Sequence, residues 1–133
     1  MLATYGFGAS LPFAFEEAVQ RVKAALKAEG FGVLSEIDVR QTLQEKLNID
    51  MGPYVILGAC NPPLAHRALS VEPEIGLMLP CNVIVRVEGK TSRVDIADPQ
   101  VMLGIVGKEQ LRDVADEARQ RLLRVLAALQ DAK

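Results

Sequence analysis

Residues 53–99 read PYVILGACNPPLAHRALSVEPEIGLMLPCNVIVRVEGKTSRVDIADP, and the organisation of the chain follows from them. The run opens with a strand, Pro53 to Cys60, that is apolar on both faces. Tyr54 and Ile56 lie on one side, with Val55, Leu57 and Ala59 on the other. Such a strand is ordinarily central in its sheet and covered twice. It closes on Cys60-Asn61, where Asn61-Pro62-Pro63 starts a short helix with Leu64, Ala65, Ala68 and Leu69 facing inward. Glu74 to Leu79 reads as a short strand or extended coil. A second cysteine–asparagine pair, Cys81-Asn82, opens the strand Asn82 to Glu88, and a Gly89-Lys90 turn of type II′ joins it to Thr91 to Ala97. In that hairpin Val87 faces Ser92, Val85 faces Val94 and Val83 faces Ile96 on a buried side. Arg86 faces Arg93 on the other side, with Glu88 and Asp95 on the diagonals to offset the like charges.

The same reading extends in both directions. Upstream, residues 2–9 suggest a strand, and Phe15, Ala18, Val19, Val22 and Leu26 recur at helical spacing from Pro12 to Glu29, with Gly30 as the stop. Gly32 to Ile37 reads as a strand. Asp38 with Gln41 then resembles a capping box that opens a short helix turning Leu43 and Leu47 inward. Downstream, Asp98-Pro99 caps a single turn ending near Gly104. From Lys108 to Ala132 a wide apolar stripe runs through Leu111, Val114, Ala115, Ala118, Leu122, Val125, Leu126 and Leu129. Two long amphipathic helices each need a surface to cover, and a mainly antiparallel sheet supplies it. The expectation is an α+β layered fold forming one domain over residues 1–133.

Composition narrows the function. The 133 residues are 50% hydrophobic and 24% charged, with a formal net charge of −2. No basic field gathers phosphates, so nucleic acid is not an expected partner. The first residues, MLATYGFGASLPF, lack a signal peptide's basic start and apolar core, and no apolar run approaches the roughly 18 residues of a membrane span. A soluble cytoplasmic protein with no membrane association is expected. Two cysteines make no disulfide framework, a C-x-x-C motif is absent, and the chain has one histidine, so reduced thiols are expected.

Six residues are candidates for chemistry or binding. If the strand ending at Cys60 lies antiparallel beside the one starting near Cys81, the chain's two thiols come together at one end of the sheet. Cys60 precedes a helix start, which favours a thiolate, but Pro62 and Pro63 remove two amide donors from that terminus. Buried packing is the ordinary fate of a free cysteine. His66 could join the two thiols as a third metal ligand, although a lone histidine beside Arg67 is more often an exposed one. Asn61 is a natural helix cap, and Asn82 either bonds neighbouring backbone or lines a pocket. Glu36 stands alone among apolar strand residues without a carboxylate partner, so no acid–base pair is visible. No nucleophile elbow or dinucleotide fingerprint occurs.

The segments GACNPPLAHRAL and EPEIGLMLPCNVIV, the later ADP, and the stretches EGFGVLSEIDV and LQEKLNIDMGPYVILGACNP resemble domain-of-unknown-function family 302, a family of small bacterial and archaeal proteins. The resemblance covers nearly the whole chain. It implies a TATA-binding-protein-like fold with one curved, mainly antiparallel sheet backed by helices. It carries over Gly58, Cys60, Asn61, Pro62, Pro80, Cys81 and Asn82 as motif positions and assigns none of them a catalytic role, while His66 falls outside the motif.

These readings lead to a non-enzymatic module, homodimeric and binding a small molecule or assembling with itself, with no cofactor. Its candidate ligand residues are Cys60, Asn61, Cys81, Asn82 and Glu36. The motive for a dimer is the doubly apolar strand, one face of which helices leave uncovered. The alternative is a thiol-based redox or soft-metal protein using Cys60 and Cys81, with His66 as a further metal candidate.

Overall fold

The structure, a computed structural model, describes residues 4–132. Five strands, β1 (Gly6–Leu11), β2 (Gly32–Asp38), β3 (Tyr54–Cys60), β4 (Cys81–Glu88) and β5 (Thr91–Ala97), form one antiparallel sheet in the order β1-β5-β4-β3-β2. The helices are α1 (Phe15–Ala28), α2 (Val39–Leu47), α3 (Pro62–Val71), α4 (Pro99–Gly104) and α5 (Arg112–Asp131). The fold is α+β, as expected.

The β4–β5 hairpin has the predicted register, with Val87 opposite Ser92, Val85 opposite Val94, Val83 opposite Ile96 and Arg86 opposite Arg93. Gly89 takes φ 62° at the turn. Asp95 pairs with Arg93 at 3.1 Å, which relieves the like-charge neighbour across the ladder. Helix caps also fall where the sequence puts them. Asp38 accepts from the amide of Gln41, Asn61 from that of Leu64 and Asp98 from that of Gln100.

Helix α1 starts three residues later than Pro12 suggests. Leu11 is still paired with Ser92, and Ser92 Oγ donates to the Phe13 carbonyl at 2.9 Å, which holds the Pro12-Phe13 bend outside the helix. The predicted strand over 2–9 begins at Gly6 and runs on to Leu11, and its first positions lie outside the described residues.

Helices α1 and α5 lie together on one face of the sheet, α1 over β4 and β5 and α5 against β1. Their stripes meet Val55, Leu57, Val83, Val85, Val94 and Ile96 in one core, and all the α5 residues predicted to face inward are buried. At about 25 cal/mol per Å² of apolar surface removed from water, that core is the main stabilising term.

Three expectations are corrected. First, β3 lies second from an edge rather than centrally, and the long helices cover one of its faces only. The chain crosses from the β1 edge to the β2 edge through α1, so β3 enters beside β2 and the hairpin fills the middle. Second, α2 does not bury Leu43 and Leu47. Leu47 is 61% exposed and no α2 residue is buried, because the short helix packs chiefly against a single element, β3. Third, Glu74 to Leu79 is neither strand nor coil. Pro73–Met78 forms a 3₁₀ segment that buries Ile75. Among the described residues, no helix is long and apolar enough to cross a membrane.

Candidate functional site

The end of β3 meets the start of β4. Ala59 is the cross-strand partner of Cys81, and Gly58 that of Asn82. Side chains alternate between faces along a strand, so this register decides where the sulfurs go. Cys81 leaves the sheet with Ala59 on the helix-covered face. Cys60, one residue further along β3, leaves with Gly58 and Ile56 on the other. The two thiols are therefore neighbours at one sheet end but emerge from opposite faces, and both are free.

Around that end lies a cavity of about 410 Å³ bordered by both cysteines. It reaches from the covered side, through Phe31, Ala59 and Ala118, round the sheet end to Ser35 and Pro80. Helix α3 supplies Leu64, Ala65, Ala68 and Leu69, the face predicted to turn inward. Glycine at position 58 has a steric cause. A Cβ there would overlap Ser35 Oγ and stand 2.8 Å from Pro80 Cγ, so the residue lets these two side chains close over the strand.

None of the described residues lining the cavity carries a charge. Burial pushes the Cys81 thiol up to about 11, and the nearby Cys60 thiol adds to the effect, because a thiolate there would stand in apolar surroundings beside a second ionisable sulfur. Cys81 is thus a neutral thiol at physiological pH. Asn61 borders the cavity while 7% exposed, and its Oδ1 is already occupied by the Leu64 amide at 3.2 Å, so its capping role is structural.

The other candidates stand elsewhere. Asn82 is exposed on the uncovered face and does not border the cavity, since its partner Gly58 faces away from the helices. Glu36 is paired with Lys23 of α1 at 2.9 Å, beside a separate shallow hollow near Phe15 and Val19. His66 is exposed, on the side of α3 away from Leu64 and Ala68, and cannot join the thiols as a ligand. Among the described residues, no group of three or more histidine, cysteine, aspartate or glutamate side chains could hold a metal ion. Sequence reasoning missed Phe31, Met78, Met102 and Leu103, which line the cavity from three separate segments. The uninterrupted apolar run from Ile75 to Pro80 was the one visible hint, because it fits neither a helical nor a strand period.

Fold and site define a class: a small α+β protein with one antiparallel sheet, helices α1 and α5 over one face and an apolar cavity at one sheet end. The family model described as "Domain of unknown function DUF302" matches residues 7–129, and the chain belongs to that family. Its fold is similar to the crystal structure of an uncharacterized conserved DUF302 protein from Bacillus stearothermophilus. The two are 32% identical with a TM-score of 0.88, over 96% of this chain and 99% of that one. No curated protein matches the sequence.

Proposed function

We propose that this protein is a non-enzymatic binding module that holds a small apolar molecule in the cavity at the β3–β4 end. The observation that carries the reading is the cavity's lining, which is apolar except for Ser35, Asn61 and two thiols and has a volume in the range of ligand pockets. None of the described lining residues carries a charge that could serve as a general base or a clamp, and the Cys81 thiol is held neutral. Native mass spectrometry of protein purified without denaturant tests this. A discrete adduct that leaves on denaturation is the expected result. A mass equal to that of the bare chain in every preparation, with no thermal shift on adding apolar compounds, would refute it.

The thiol-redox or soft-metal alternative is less favoured, because the Cys81 thiol is held neutral and the register sends the two sulfurs to opposite faces.

The same reading includes a homodimer formed by the open sheet face. Ile37, Ile56 and Ile84 stand in one cross-strand row on that face, and Ile37 is 49% exposed. Arg86 and Arg93 flank the row together with Glu88 and Asp95. A two-fold axis through such a patch sets the positive groups of one copy against the negative groups of the other. Sedimentation at micromolar concentration should give a dimer, and Ile56→Lys a folded monomer. A monomeric unmodified chain removes the dimer and leaves the cavity reading standing.

A further inference from the structure

Given the binding reading above, the cavity's composition narrows its ligand further. We infer that the occupant is an unbranched aliphatic chain of about a dozen non-hydrogen atoms, taken tail first, with any polar head left in water at the mouth.

The mouth and the floor can be told apart by exposure. Leu34 is 73% exposed and Leu69 41% exposed, whereas Ala59, Ala68 and Ala118 are buried. The deep end is built of these alanines together with Phe31, Leu64, Leu103 and Val114, all buried, and the short alanine side chains leave space open between the larger ones, whereas Leu34 and Leu69 stand at the rim. A ligand entering past these leucines meets a lining that is apolar apart from Ser35, Asn61 and the two thiols.

Charge excludes several classes. With no cation or anion among the described lining residues, a phosphate, carboxylate or ammonium drawn inside would lose its hydration without a partner, at a large cost. Ring systems are disfavoured on different grounds. Phe31 is the single aromatic among the described lining residues, which offer no pair of faces between which a planar ring could stack. Met78, Met102 and Leu79 form much of the remaining wall, and unbranched thioether side chains adapt to a flexible tail. Size then follows from volume. At roughly 30 Å³ for each water-sized group, 410 Å³ has room for about fourteen such groups, an upper bound that a linear chain unable to fill every corner falls short of, at about ten to twelve carbons.

The test is a series of linear alcohols from hexanol to tetradecanol, below their solubility limits, read by calorimetric titration and thermal shift on the full chain. Affinity should rise about fourfold with each added methylene and stop rising near ten to twelve carbons, where the tail has reached the alanine floor. Ala68→Leu, which shortens the floor, should move that break to a shorter chain. The series on the unmodified chain decides the matter even if the variant does not fold. A flat response to chain length, or tighter binding of 1-naphthol than of decanol, would overturn the aliphatic assignment while leaving a binding cavity. If no alcohol and no aromatic binds, and Ala68→Leu raises the melting temperature, the cavity is a packing void and the binding reading falls with it.

Discussion

Raising the pH should destabilise this protein through one thiol. Cys81 has a folded-state value of about 11 against an ordinary 9.0, because it borders an apolar cavity and a second thiol. The unfolded chain therefore ionises first as pH rises, and protons are lost from the unfolded state before the native one. The stabilisation is fully present below pH 9 and is lost as pH climbs to 11. At about 1.4 kcal/mol for each tenfold change in the ionisation constant, the loss amounts to roughly 2–3 kcal/mol. Urea unfolding of the unmodified chain and of Cys81→Ala from pH 7 to 11 isolates this contribution, since the other tyrosine and lysine titrations are common to both. The difference between them should narrow by that amount over the last two pH units. Iodoacetamide gives an independent reading. At pH 8 about one Cys81 in a thousand is ionised, against roughly a tenth of a thiol at the ordinary 9.0, so alkylation should be on the order of a hundredfold slower. Parallel pH curves for the two proteins, or an alkylation rate already level below pH 9, would refute the neutral thiol and revive the redox reading.

Two further substitutions probe the frame that holds the site. Ser92 is fully buried, and its hydroxyl donates to the Phe13 carbonyl at 2.9 Å, so Ser92→Ala leaves a buried acceptor unpaired. A loss of about 1–3 kcal/mol is expected in the urea midpoint with an unchanged slope. Gly58→Ala places a methyl against Ser35 and the Pro80 ring, and overpacking of this kind costs about 1–3 kcal/mol. Because both neighbours border the cavity, the variant should also weaken the binding of any alcohol that the unmodified chain takes up. Unchanged affinity would mean that the sheet end yields without reshaping the cavity.

The parts of the fold that were legible share a local cause. The β4–β5 register follows from a two-residue turn flanked by alternating valines, and each cap follows from an asparagine or aspartate a few residues ahead of the amide it accepts. The stripe of α5 needed nothing more than its own period. The misread elements are those where distant contacts intervened. Leu47 is 61% exposed on a helix whose placement is set by its contact with β3, and the bend at Pro12-Phe13 is held by Ser92, far away in the chain.

What the sequence determined by itself is most of the set of elements, because each depends on side chains a few residues apart; the meeting of the β3 and β4 ends stood in it only as a condition, which the strand pairing settles. Tertiary structure alone decided that the two sulfurs face opposite ways, since pairing Cys81 with Ala59 instead of Cys60 is a one-residue matter of register that reverses a side chain's face. It alone also decided that a cavity exists. A cavity is volume left unfilled where separate segments converge, and no local pattern records the size of a space whose walls are brought together from residue 31 to residue 118.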